Sequence, residues 1–535
     1  MAIPKATANI VVVGAGLAGL FLALKLSPRP VTLISSTPLD DDIRPDGGIA
    51  AVLDATDSID RHVRDTIAAG GDLVDEAVAR LITSDGPGRV RDLLAYGVPF
   101  ARGENDAWVG SQEPAHSGAR VLRIAGDGTG RAIRAALIKA ARDAPSITVF
   151  EGYLAEDLIC DGEGPDRQVT GLYLSRLQDV AARYKVDNVA AVVLATGGTG
   201  ALYRTTTRPE HARGDGLAIG ARAGAIVSDA EFVQFHPTAI DCAQDPAPVA
   251  IEALRSAGAQ LIDANGRRLM SDGEQACRAI VTHAVHQILA SGEGAFLDGS
   301  RAQGLDIENG FPLIYRACMI AGIDPTLEPI PVVPAAHFHL GGLRTDVNAR
   351  TNVAGLWAVG EVAATGLHGT DRLAGNARLE AVVMAARAAD AIANAVPAEN
   401  VQPGNNITRE RSPHLPDFGA RTAGLAMIRE TMSTNVGVER DDARLRQALT
   451  TLKDIAHAGG GDPAIENATT AARFIAEAAL RRRESRGVHV RSDYPATDPD
   501  LARSRTMTLA GLSMRDSLAS GELFSEITAG GGTLH

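Results

Sequence analysis

Residues Ile10 to Leu26 read IVVVGAGLAGLFLALKL: a β-branched apolar run enters Gly14-Ala15-Gly16-Leu17-Ala18-Gly19 and leaves it as an apolar stretch of helical composition. Glycines at G-x-G-x-x-G spacing between a strand and a helix specify a dinucleotide site. Gly14 permits the tight turn, Gly16 lets backbone approach a pyrophosphate, and Gly19 lets the helix pack on the strand. Free N–H groups at the helix start, around Leu17, offer the phosphates partial positive charge. The same stretch makes a poor secretory leader or membrane span. No small-residue cleavage site follows it, Lys25 interrupts it, and a span needs about 20 apolar residues.

Working outward, VTLISS (31–36) reads as a second strand. Many dinucleotide sites place an acidic residue there for a ribose hydroxyl, but here Ser35 and Ser36 stand, so Ser36 is the expected ribose contact and NAD is not favoured. PDGGIA (45–50) is a glycine-kinked loop containing Gly47 and Gly48, and two segments of helical period follow it. VAAVVLATGGTGALY (189–203) reads as a buried strand ending in glycines, and Gly214-Asp215-Gly216 precedes an Ala/Gly-rich helix. Residues 230–336 carry different polar chemistry, after which TNVAGLWAVGEVA (351–363) returns to strand–turn grammar. NARLEAVVMAARAADAIA (376–393) is an amphipathic helix, 397–416 is a linker, and a helical region ends in RRRESRGVHVRSDYP. One discontinuous α/β nucleotide domain (1–229 and 337–400), an inserted α+β capping domain (230–336) and a C-terminal helical domain (410–535) are therefore expected.

Composition agrees with a globular enzyme-sized chain. Its 535 residues suggest roughly three domains. The net charge of −13 disfavours nucleic acid and anionic membrane as partners. Cys160, Cys242, Cys277 and Cys318 are scattered without a C-x-x-C pair, which predicts neither a disulfide framework nor a metal site and fits a reducing, cytoplasmic address.

In chain order, GAGLAG, DGGIAAV, LATGGTG, FVQFHPT, GLWAVGEVAATGLHGTDRLAGN and RESRGVHVRSDYP resemble the fumarate reductase/succinate dehydrogenase flavoprotein superfamily. Within it, GGIAAVLDATDSIDRHVRDTIAAG, TGLHGTDRLAGN (against a family pattern TGLHGxNRxxSN) and RETMSTNVGVERDDARLRQAL are similar to the L-aspartate oxidases. The resemblance covers nearly the whole chain. It implies a two-lobed Rossmann-like FAD-binding domain and oxidation of L-aspartate to iminoaspartate, with O2 or fumarate reoxidising the flavin. In that family the product feeds quinolinate synthase at the start of NAD biosynthesis. Leu39 to Asp46 contains no histidine, whereas the membrane-complex relatives attach FAD through one there, so FAD is expected to be noncovalent.

Dehydrogenating an amino dicarboxylate requires a grip on the carboxylates, and arginine's planar, permanently charged fork grips them best. By resemblance Arg372 is the substrate-carboxylate arginine, His236 and His337 are further carboxylate ligands, and Gln234 and Glu252 line the same pocket. Arg278 matches the arginine that handles a proton, which demands burial and a neighbouring cation because a free guanidinium holds its proton above pH 12. Glu113 matches a glutamate of the aspartate oxidases, whose charge would hold the substrate ammonium. Asp215, Glu361, Asn376, Ala377 and Arg378 match FAD contacts, together with Gly14, Ala15, Gly16, Leu17, Gly19, Ser36, Gly47 and Gly48.

This chain departs from the family at several places. Ile251 stands for a threonine before Glu252, Ala279 for the aspartate of Arg-Asp-x-Val, His283 for that motif's second arginine, Gly375 for a serine and Asp46 for a glutamine. A lost hydrogen bond costs about 0.5–1.5 kcal/mol, so weaker binding of substrate or flavin is expected. Two other readings fit the same pattern: a soluble fumarate reductase acting on a dicarboxylate without an amine, and a flavin-binding protein whose catalytic groups have decayed.

Overall fold

The computed structural model describes residues 9–39, 47–124, 126–176, 178–179, 181–270, 276–300, 302, 304–396, 407–413 and 415–512. Asp46, the rest of the loop 40–46 and linker residues 397–406 lie outside them.

The decisive strand, Asn9–Val13, is wholly buried and stands at the centre of a five-stranded sheet in the order 356–358, 189–194, 9–13, 31–35, 147–151. Every pairing in it is parallel. Both faces of a parallel sheet are covered, which is why these strands read as continuous Val/Ile/Leu runs. Helix Leu17–Leu26 lies against helix Asn376–Ala395, more than 350 positions later. The chain thus leaves this lobe and returns to complete it.

An antiparallel sheet in the order 407–411, 182–186, 168–176, 153–161 flanks the parallel one. Its edge strand Ile407–Arg411 corrects the reading of 397–416 as linker throughout. The run ITRER follows an asparagine-rich stretch, and what makes it a strand is a long-range partner, Ala182–Val186. A third sheet, ordered 233–240, 330–339, 295–298, 260–263, carries helix Arg278–Ala290 and encloses a separate apolar core that includes Leu254, Leu261, Val281, Val285 and Ile314. Helices Phe418–Asn435, Asp442–Ala458 and Pro463–Arg481 form the C-terminal layer.

Residues 482–498, which follow them, are not helical. They run as a strap whose Arg482, Arg486 and Arg491 are buried. Val488 donates its N–H to the Thr370 carbonyl at 2.9 Å, and Gly487 passes so close that a Cβ there would lie 2.3 Å from Thr370 O. The far end of the chain therefore buttresses the loop that bears Arg372.

Candidate active site

One cavity of about 420 Å³ runs from the glycine turn to the third sheet. At one end it is lined by Gly14, Ala15, Gly16, Leu17, Ser36, Gly47, Gly48, Asp215, Glu361, Ala377 and Arg378; at the other by Glu113, His236, Glu252, Arg278, His337 and Arg372. All five groups expected to act on substrate, though scattered from 113 to 372 in sequence, face it.

The nucleotide end is built from two open helix starts. Helix Leu17–Leu26 begins after Gly16 and helix Asn376–Ala395 after Gly375, neither with a side-chain cap. Their free N–H groups face into the cavity, which suits an anion. Gly14 has φ +110°, and a Cβ on Gly19 would lie 1.9 Å from Gly14 O, so both are demanded by the turn itself. A Cβ on Gly16 would meet nothing of the protein within 4 Å, which is the space a pyrophosphate takes. Two different outcomes are expected. Gly19→Ala should lower stability by about 1–3 kcal/mol through overpacking. Gly16→Ala should melt like the parent yet retain little flavin. Thermal denaturation and the visible spectrum of the purified variants check both, and a yellow Gly16→Ala protein would contradict the pyrophosphate assignment.

Gly375 changes meaning in the structure. With φ +79° and a would-be Cβ 2.7 Å from Ala50 N, a serine in this backbone would be strained, so the glycine relieves the turn where the family pattern has a hydroxyl. Asn376 is fully buried and turned away from the cavity, its amide spent on His62 Nε2 (2.8 Å) and Thr66 Oγ1 (3.0 Å). The amide thus fixes the helix start, and Ala377 and Arg378 line the cavity beside it. Glu361 pairs with Arg208 and accepts the His339 N–H at 3.0 Å. Asp215, buried beside Arg213, has its carboxyl pushed up by burial.

The substrate end depends on two irregular strands. Pairing of 233–240 with 330–339 shifts register between Gln234 and Phe235, where His337 is the extra residue, and again between His236 and Ala239. Pro237 and Pro334 offer no N–H to the ladder, which makes bulges natural there, and a bulge re-aims a side chain. Both histidines consequently project into the cavity with ring centroids 5.0 Å apart. His236 Nδ1 accepts the Thr238 N–H at 3.3 Å, which leaves Nε2–H to donate to Glu252 Oε1 at 3.0 Å. Burial holds His236 down at about 4 and His337 well below the ordinary histidine range, so both are neutral at pH 7.

Glu252 and Gln234 are not free to meet substrate as expected. Glu252 accepts Arg278 Nε at 2.5 Å and Nη2 at 2.9 Å. Burial raises its carboxyl, but Arg278 and His236 together hold it well below the usual carboxylate range. Gln234, fully buried behind the cavity wall, accepts Arg278 Nη1 at 2.8 Å and donates to Asp371 at 2.5 Å. These residues position others. Arg278 accordingly has a carboxylate for its nearest charged partner, although the proton-handling role calls for a neighbouring cation.

Arg372 is different. Its guanidinium lies 4.5 Å over the Phe338 ring, and its Nε is buried with no hydrogen-bond partner. Burial, then Arg278, push its pKa well below the usual arginine range. A buried fork with open N–H positions is a carboxylate receptor awaiting its anion. Across the cavity Glu113 accepts from Ser111 Oγ at 3.0 Å with Arg123 3.8 Å away, and burial raises its carboxyl against that cation. Ile251, which also lines the cavity, adds an apolar wall where the family pattern has a hydroxyl.

Sequence reading missed Arg208, Thr207 and Asp371. Thr207 Oγ1 sits 2.8 Å from His337 Nδ1. The signal that could have found Asp371 was its place beside Arg372 in an otherwise glycine-rich loop.

The buried histidines set a pH dependence. His236, His116 and His339 are held at about 4 and His62 at about 3, in each case mainly by burial. The unfolded chain binds these protons near the ordinary value of about 6.5, so stability is full above that pH and drains away as pH falls toward 4. The melting temperature is expected to drop steadily across that window. A flat profile from pH 6.5 to 4 would contradict it.

A family model described as an FAD binding domain matches residues 9–377, and one described as the fumarate reductase flavoprotein C-term matches residues 463–518. The L-aspartate oxidase of Caulobacter vibrioides is 46% identical over 91% of this chain and 94% of its own length. The chain belongs to the L-aspartate oxidase family. That of Mesorhizobium japonicum is 42% identical, covering 92% and 93% respectively. Among solved structures, the FrdA chain of an E. coli quinol fumarate reductase superposes with a TM-score of 0.80 at 24% identity, over 94% of each chain, a likeness of fold. The cleft at the glycine turn is thus an FAD site, and its open helix ends and glycine clearances fit that group.

Proposed function

We propose that this protein oxidises L-aspartate to iminoaspartate, the first step of the quinolinate route to NAD. The observation that carries the proposal is the pairing of opposite demands in one cavity: Arg372 with two neutral histidines for carboxylates, and Glu113 for an ammonium. FAD, when bound, supplies the acceptor for the electron pair that leaves Cα with its hydrogen.

The chain's own residues do the rest. Arg372 takes one substrate carboxylate in a bidentate grip, and that anion offsets its desolvated charge. His337 and His236, being neutral, donate or accept hydrogen bonds without adding net charge, so they orient the second carboxylate. Glu113 draws the ammonium to one side, which fixes the Cα–H direction and provides a base for a nitrogen proton. Arg278, tied to Glu252 and Gln234, polarises the bound dicarboxylate and lines the path for proton exchange. Ile251 keeps water from that wall.

FAD is held noncovalently in this reading, in line with the histidine-free stretch Leu39–Asp46. O2 or fumarate takes the electrons onward, the product passes to quinolinate synthase, and the protein works in the cytoplasm, where its four unpaired cysteines would stay reduced. No helix among the described residues is long and apolar enough to cross a membrane. The buried Glu113 disfavours a fumarate reductase, and the convergence of all five groups disfavours a decayed site.

Anaerobic mixing of the FAD-loaded protein with L-aspartate, and separately with succinate, tests the reading. Bleaching of the flavin band by aspartate alone is expected. Bleaching by succinate alone would reassign the substrate, and no bleaching by either would end the proposal.

A further inference from the structure

We infer that Asp371 is the positioning residue that sets Arg278 and Arg372 in one frame, acting across the two lobes as the cap of the helix that begins at Arg278. The role rests on the dicarboxylate-binding reading above.

Helix Arg278–Ala290 has Cys277 at its N-cap position, without a side-chain cap bond. Helix starts leave N–H groups that need an acceptor, and Asp is among the best suppliers. Here the acceptor comes from another part of the fold: Asp371 Oδ2 takes the Ala279 N–H at 2.9 Å. Its other oxygen accepts Gln234 Nε2 at 2.5 Å and the Arg372 N–H at 2.9 Å. Asp371 is 2% exposed, so these bonds are made out of water's reach.

Three lines of force follow from that carboxylate. Through Ala279 it fixes the backbone from which Arg278 springs. Through Gln234, whose Oε1 holds Arg278 Nη1 at 2.8 Å, it fixes the far end of the same side chain. Through its own neighbour it fixes the backbone of Arg372. Gln234 also bonds both arginines, since its Nε2 reaches the Arg372 carbonyl at 3.2 Å, and Asp371 is the acceptor that holds that amide in place.

Ala279 lies against the Asp371 carboxylate, so substitution can move the acidic group from one side of this contact to the other. Physical chemistry makes such an exchange costly by halves. An asparagine at 371 can turn only one acceptor toward three donors and must present its NH2 to another N–H. An aspartate at 279, added while Asp371 remains, faces a second buried carboxylate.

The test is the reciprocal exchange, made as Asp371→Asn, Ala279→Asp and the double variant in FAD-loaded protein. The readouts are KM and kcat for L-aspartate, the Kd of malonate from its perturbation of the flavin spectrum, and the melting temperature. Each single variant is expected to raise KM and the malonate Kd by about tenfold or more, as befits a misaligned charge-assisted contact. The double variant is expected to recover both to within about threefold. Asp371→Asn with unchanged KM and malonate Kd, whatever its melting temperature, overturns the role, and so does a double variant no better than the worse single. If Asp371→Asn does not fold, Asp371→Ser carries the same comparison, since its hydroxyl serves one donor. Wild-type protein that is loaded with FAD but answers neither malonate nor aspartate sinks the functional reading itself, a result distinct from a failed exchange.

Discussion

Arg372→Met is expected to cost roughly 1000-fold in kcat/KM for L-aspartate, about 4 kcal/mol, while the ligand-free protein melts no lower than the parent. The two halves of that result share one cause. Arg372 is 6% exposed, its Nε lacks a hydrogen-bond partner, and its charge faces an aromatic ring. A desolvated cation–π contact returns about 2 kcal/mol or somewhat more, against a desolvation penalty of several kcal/mol for a buried ion. The folded protein therefore carries this guanidinium at a net cost, and a thioether of similar length removes the cost. The bound carboxylate is the counter-ion the site lacks, so its affinity disappears with the arginine. Arg372→Lys keeps the charge but loses the fork, and about 100-fold should still be lost. Steady-state kinetics with calorimetry decide the matter. A methionine variant that melts well below the parent would mean the arginine is a structural prop.

Glu113→Gln should separate two substrates that differ by one amino group. A unit charge pair at 4 Å is worth about 4 kcal/mol at an effective dielectric constant near 20. After competition from Arg123, 3.8 Å from the same carboxylate, roughly 100-fold of that should remain as lost kcat/KM for aspartate. Succinate and fumarate carry no ammonium, so their turnover should hold or rise as the pocket loses a repelling anion. The ratio of the two rates is the measurement. If both substrates fall together, Glu113 shapes the pocket rather than reading the amine.

What the sequence made legible follows from how each signal is written. The turn at Gly14–Gly19 and the buried strands 9–13 and 189–194 are local statements, since glycine spacing and β-branched runs stay meaningful without their surroundings. Arg372 and His236 are legible because their neighbours carry the motif with them, whereas Glu113 rests mainly on the His116-Ser117 that follows it. The exceptions are non-local. Ile407–Arg411 forms a strand because a partner edge waits nearly 230 residues earlier. Gln234 lies behind the cavity wall and Glu252 lines it already bound to Arg278, because a side chain's identity does not tell which of its neighbours has claimed its oxygens. Asn376 gives its side chain to His62 and Thr66, partners more than 300 positions earlier that its motif does not name. Gly375 reads in sequence as a missing hydroxyl, and only its φ of +79° adds that the backbone there favours glycine. Asp371 escaped because its role lies in the company it keeps across two lobes.

The parallel sheet begins with Asn9–Val13 at its centre and is finished only by Leu356–Ala358, and the Thr370 loop is braced later still by Val488. A ribosome delivers residues in order, at about 5–20 per second. The nascent amino-terminal half must therefore wait tens of seconds with one flank of its central sheet uncovered. Such late closure favours slow maturation and a need for chaperone shelter. It also means that a nonsense codon anywhere before the strap leaves the loop that bears Arg372 unbraced, because its support at Val488 is translated more than 100 residues after it.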